Sequence, residues 1–305
     1  MRKTTKRLMI LMMPVFILAL TLGSLACSGK ETPQGTPTPR PGAAPIQAHG
    51  VIDYAISAFQ MIPVEWQRGR YIDVAAFRDD SSLKAFYDKI YKDVGQNLAA
   101  TGIDMNKVDN VSFVGGRAAV YSGRLDLSSI RKVLENMNYT KSTYLDVEIW
   151  KSSDAEKGVV ALLPPDSVLV TKEYQDTETY ISVIKGWGSS MYDNEDVKDV
   201  TARLSTNPLR VDITLDGDPN LLATGSTVEK ISNATVAMMT LAKFEDDVSA
   251  EKGLSDITAN FNSWANSWNM VSVENVQIRR FVKATGRAYI ADMESPLGYS
   301  TYWLH

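Results

Sequence analysis

The sequence predicts an α+β fold: antiparallel sheets with helices on one face, built as two similar β-α-β-β subdomains. Three observations lead there. Leu209, Val211, Ile213 and Leu215 alternate with Arg210, Asp212 and Thr214, the two-residue period of a strand covered on one side. Leu83, Phe86, Tyr87, Ile90, Val94 and Leu98 recur every three or four residues, the period of a helix with one apolar stripe. The order strand, helix, strand, strand then occurs twice, over residues 71–124 and 235–293. Tight turns between successive strands give the sheets an antiparallel character.

Taken in order, the chain opens on Arg2, Lys3, Lys6 and Arg7, an apolar run over residues 8–22, and Gly23-Ser24-Leu25-Ala26 leading into Cys27, the single cysteine. This is the layout of an export signal. It resembles a bacterial lipoprotein signal, and the resemblance implies that Cys27 is lipidated and becomes the mature N-terminus. The expected location is then the cell membrane, lipid-anchored, with the protein facing outside the cytoplasm. Acyl chains add about 0.8 kcal/mol per buried methylene, so several of them hold a chain firmly. Two alternatives stay open. Ser24-Leu25-Ala26 fits the small-x-small pattern of ordinary signal cleavage, and residues 8–26 are long enough to span a bilayer if uncut.

A lone cysteine leaves the domain no internal disulfide, so stability rests on an ordinary core, for which about 260 residues remain. The formal charge is -4, and removing residues 1–26, with four cations and no acid, leaves -8. That sign argues against nucleic acid or an anionic membrane surface as a partner. Residues 28–45 hold five prolines among small polar residues and read as a solvated spacer on the order of 50 Å long. The expected organisation is a signal peptide over residues 1–26, lipid anchor and tether over 27–47, and α+β subdomains over 48–205 and 206–305.

Within the first subdomain the pattern predicts a short helix through Val51, Ala55 and Phe59, a strand over residues 71–77, and a helix capped by Ser81 or Ser82 that ends at Gly102. Gly115-Gly116 joins two strands as a hairpin turn, because glycine tolerates the positive φ that such turns need. Asp126 caps a helix through Ile130, Val133 and Leu134. A strand through Leu145, Val147 and Ile149 follows, then a hairpin turning at Pro164-Pro165-Asp166. Helices around Tyr180 and Val197 close this half, the second behind Asp193-Asn194-Glu195-Asp196, which reads as a cap rather than a cation site. The second subdomain is expected to contain strands over residues 209–215 and 235–244, a helix over 249–268, and strands over 271–282 and 287–293 turning at Ala284-Thr285-Gly286. In that helix Leu254, Ile257, Phe261, Trp264, Ala265 and Trp268 form a broad apolar stripe, read as core.

Chemistry is sparse. The two histidines, His49 and His305, stand at the domain entrance and the final position, which removes histidine-rich metal sites by count. Asp216-Gly217-Asp218-Pro219-Asn220 opens like a calcium loop but lacks its glycine and glutamate, having Leu221 and Thr227 at those positions. Ser81-Ser82-Leu83-Lys84, Tyr192-Asp193-Asn194 and Lys283-Ala284-Thr285-Gly286 together resemble the three motifs of penicillin-interacting serine enzymes, with Ala284 interrupting the third. No metal, cofactor or catalytic residue is assigned. The expected function is a non-enzymatic interaction or structural module at the cell envelope, bound to the membrane through lipid on Cys27. The alternative is a small-ligand-binding lipoprotein, and a Ser-Lys enzyme comes third. An interaction module should show an exposed apolar patch or an unpaired strand edge, a ligand binder a concave site with converging polar groups.

Overall fold

A computed structural model describes residues 51–292 apart from 155, 156, 217, 218 and 268. The signal at 1–26, Cys27 with the tether at 27–47, His49, His305, Trp268 and the Trp264 side chain lie outside the described residues. The fold is α+β, with one antiparallel sheet of twelve strands.

Helix α1 (Val51–Phe59) leads into β1 (Arg68–Asp73). The strand expected at 71–77 stops at Asp73, because the Asp73 carboxylate accepts from the Ala76 N–H and starts helix α2 (Val74–Asp79). Asp80 rather than Ser81 or Ser82 then organises the next turn, accepting from the Ser82 N–H at 2.9 Å. The single long helix expected there is α3 (Lys84–Ile90), a π-helical turn over Tyr91–Gly95, and α4 (Gln96–Ala99). Strands β2 (Val108–Val114) and β3 (Ala118–Gly123) turn at Gly115 and Gly116, at φ 51° and 72°. Asp126 caps α5 (Leu127–Asn136), accepting from the Ser128 and Ser129 N–H groups. Four short strands follow: β4 (Thr140–Tyr144), β5 (Val147–Lys151), β6 (Val159–Leu163) and β7 (Ser167–Thr171). Leu145, expected inside a strand, sits at φ 46° in the β4–β5 turn.

Helices α6 (Tyr174–Ile184) and α7 (Glu195–Thr201) lead to β8 (Arg210–Leu215), β9 (Leu221–Lys230) and β10 (Thr235–Phe244). The sequence reading missed β9, whose Ala223, Thr224, Gly225 and Ser226 show no apolar alternation. Gly225 is there for close approach: a Cβ at that position would lie 2.5 Å from Val200 Cγ1 of α7. After α8 (Asp247–Ser267), β11 (Ser272–Ile278) and β12 (Phe281–Tyr289) turn at Arg279, φ 53°. The turn expected at residues 284–286 lies instead inside β12, where Gly286 makes room for Met270 and Phe261.

The strand order is β11-β12-β10-β9-β8-β1-β2-β3-β7-β6-β5-β4. The pairs β3/β4, β7/β8 and β10/β11 are each separated by an odd number of antiparallel strands and so run parallel, which requires the helical crossovers α5, α6–α7 and α8. The two runs expected to share a β-α-β-β plan differ in pairing. In residues 71–124 the first strand lies beside the second, and in 235–293 β10 lies beside the third, β12.

Helices on one face alone were expected, but they cover both. Neighbours Tyr71 and Ile72 point to opposite sides of β1 and are both buried. Tyr71 joins a cluster with Phe59 of α1, Tyr180 of α6 and Val200 of α7. Ile72 joins one with Phe77 of α2, Tyr87 of α3, Leu98 of α4 and Ile130 of α5. Helix α8 packs on the Ile72 side, with Ala250 and Ile257 against Ala242, Phe244 and Val282. Because both faces are buried, β6 carries five consecutive buried apolar residues and shows no alternation.

Candidate functional site: a cationic groove and an open sheet edge

The residues of β8 expected to face solvent build the main concave feature. Arg210, Asp212 and Thr214 share the Ile72 face with Arg70 and Arg68 of β1, their register partners being Ile72↔Arg210, Arg70↔Asp212 and Arg68↔Thr214. The next strand adds Thr224 and Ser226, opposite Thr214 and Asp212. With Phe113 of β2 and Lys172 after β7, these side chains line a groove of about 700 Å³. Strands, the β2–β3 turn and Lys172 in the link from β7 to α6 supply the described lining, and no helix contributes to it.

Asp212 organises the charges. Its carboxylate accepts from Arg70 Nε through one oxygen and from Arg210 Nε at 2.5 Å through the other. The Arg210 side chain is only 7% exposed, so the outward position in the alternation is in fact buried. Burial alone would raise the Asp212 pKa, but Arg210 and then Arg70 outweigh it and hold the carboxyl below its usual range. Arg68 and Lys172 are exposed at the rim and form no ion pair among the described residues.

A second hollow, about 630 Å³, includes Tyr71, Asp73, Arg78, Asp109, Arg124 and Asp166. Its charges answer one another: Arg78 donates to Asp79 and Asp109 at 2.8 and 2.9 Å and to the Val108 carbonyl at 2.8 Å. Asp73, raised by burial, is occupied as the α2 cap.

The sheet ends differ. At one end β4 is short and polar: Lys141 pairs with Glu148 at 2.9 Å and lies over the Trp150 ring, and the Tyr144 hydroxyl meets Ser182 of α6 at 3.0 Å. At the other end β11 pairs only with β12 and has no strand on its outer side among the described residues. Val273, Val276 and Ile278 of β11 are 36%, 46% and 55% exposed, and Val271 just before it 61%. Arg279 and Arg287 are exposed beside this edge.

The motif candidates are dispersed. Ser81 precedes α3 on the Ile72 face, and Lys84 pairs with Asp88 on α3's own surface. Asp193 closes a capping box with Ser190, and Asn194 caps α7, which packs on the Tyr71 face with Lys283 of β12 on that side too. The sheet therefore separates Ser81 from the other two. No cluster of three or more metal-ligating acidic, histidine or cysteine residues occurs among the described residues. The groove was missed because its cations, at 68, 70, 172 and 210, come together only through strand pairing. Nothing matches the chain: no family model, no curated protein and no solved structure.

Proposed function

We propose that the chain is an exported lipoprotein, anchored to the membrane through lipid on Cys27, whose α+β domain acts at the cell envelope by binding a partner protein rather than by catalysis. The observation that supports this is the β11 edge. An edge strand offers a row of backbone N–H and C=O groups to an added strand, and natural edges are normally blunted by charge, shortness or cover, as β4 is. β11 instead presents three exposed apolar side chains along seven residues. The occupant we assign is an extended segment of a partner, added as a thirteenth strand, with apolar residues at alternate positions to meet Val276 and Ile278 and acidic residues to meet Arg279 and Arg287.

The domain also reads as two related halves, though not those of the sequence expectation. One has β1-β2-β3, a helix, then strands returning beside β3; the other has β8-β9-β10, a helix, then strands returning beside β10. They join edge to edge at β1 and β8.

Amide hydrogen exchange on the full chain tests the strand-addition reading, with a synthetic extended peptide alternating valine and glutamate as probe. Alternate β11 amides should slow on addition, and Val276→Lys should abolish the slowing. Unchanged exchange along β11 would end the reading. The anchor is tested separately: Cys27→Ser should lose labelled fatty acid and leave the membrane fraction, and its full retention there would refute anchoring at Cys27.

A further inference from the structure

We propose that the groove on β1, β8 and β9 binds a small molecule through a phosphate group. This goes beyond the strand-edge reading and stands independently of it. Among the described residues the lining brings Arg68, Arg70, Lys172 and Arg210 together with one carboxylate, Asp212, in a chain whose overall charge is -4. Arg68 and Lys172 form no ion pair among the described residues, and gathering like charges on adjacent strands works against stability, so these rim positions suit an anion. Asp212 supplies orientation: by accepting from both Nε atoms it fixes two planar guanidiniums on the groove floor.

Several features favour phosphate over a lone carboxylate. A carboxylate is matched by one guanidinium fork, whereas phosphate has more acceptor oxygens and a higher charge, suited to two ordered guanidiniums, two rim cations and hydroxyl donors. Thr214, Thr224 and Ser226 provide those hydroxyls, the last bonded to Thr240 Oγ1 at 2.9 Å. The rest of the molecule has room, because about 700 Å³ falls within the range of small-molecule sites, and Phe113 offers it an apolar wall. A polymeric nucleic acid is disfavoured, since the chain as a whole carries a net charge of -4. A free phosphorylated compound and a phospholipid headgroup share the chemistry.

The test is calorimetric titration of the full chain, in uncharged detergent, with inorganic phosphate and pyrophosphate against chloride at equal ionic strength. Saturable heat beyond the chloride control is expected. The double variant Arg68→Gln/Lys172→Gln, changed only at exposed rim positions, should bind about tenfold more weakly with an unchanged unfolding midpoint. Micelles doped with phosphatidylglycerol separate the sources: a headgroup ligand removes the pyrophosphate heat, and a free phosphorylated ligand leaves it. Heat no greater than chloride, or binding undiminished in the double variant, would overturn the proposal.

Discussion

On one face of the sheet Lys243 of β10, 2% exposed, is held by Asp196 at 2.7 Å and Asp199 at 2.5 Å, while Arg280 reaches Asp199 at 3.0 Å. On the other face Asp212 is held by Arg210 and Arg70. The first cluster joins a helix to the sheet, with two carboxylates of α7 answered by Lys243 of β10 and Arg280 in the turn before β12, and Arg203 lying 3.9 Å from Asp199. The second lies within β1 and β8, strands already joined by five register pairs. Between those two strands it fastens nothing that the backbone ladder has not fastened, and the described lining of the groove it faces holds four cations and one carboxylate. A cluster that joins separate elements acts as a clamp, whereas a cation-rich cluster within a ladder is better explained by a ligand.

The strongest way to break this comparison is Asp212→Asn. It leaves two adjacent arginines, one of them buried, without their shared carboxylate, so we expect a loss of about 3–5 kcal/mol and a fall of about 10 °C in unfolding midpoint. Lys243→Met should cost less, about 1–2 kcal/mol, because Asp196 and Asp199 are 30% and 37% exposed and regain water. A larger loss from Lys243→Met than from Asp212→Asn in paired thermal melts would reverse the ranking.

Acid sharpens the same contrast. Lys243 hydrogen bonding lowers the Asp199 pKa, and Lys230 followed by Ser82 holds Asp80 down at about 2. A carboxyl depressed in the folded state adds stability that is fully present above its unfolded pKa, near 4, and lost as pH falls through the folded value. Denaturant melts at pH 5, 4 and 3 should therefore show falling stability. The Lys243→Met variant should show a shallower fall, since Asp199 loses the main cause of its shift. The smallest effect belongs to the open edge: Val276→Lys, at an exposed position, should leave stability within about 0.5 kcal/mol in the same melts. Any larger loss would mean that Val276 is packed rather than presented.

Much of the local structure was legible. Asp126 and Asn194 announced their helices because a short side-chain acceptor satisfies first-turn N–H groups wherever it stands. Gly115-Gly116 announced a turn because the φ it needs is a property of the residue. The reading failed where neighbours overrode pattern. Asp73 diverted a strand into a helix, β9 was hidden by small polar residues beside α7, and Gly286 looked like a turn but serves a close contact. The candidate site was legible only as residue types. Arg210 looked like a solvent-facing position because alternation reports which side a residue takes and not what lies on that side.

By itself, then, the sequence determined the α+β class, the helix caps at Asp126 and Asn194, the hairpin turns at residues 115–116 and 164–166, and an expectation of export and of Cys27 as anchor, since these depend on dihedral preference, period and composition over a few residues. Only the tertiary structure decided that twelve strands form one sheet, that helices cover both faces, that β11 lies at an edge, and that Arg68, Arg70, Lys172 and Arg210 share a groove. The reason is that strand pairing joins residues more than a hundred positions apart, such as Arg70 and Asp212. Local periodicity carries no record of which strand lies beside which.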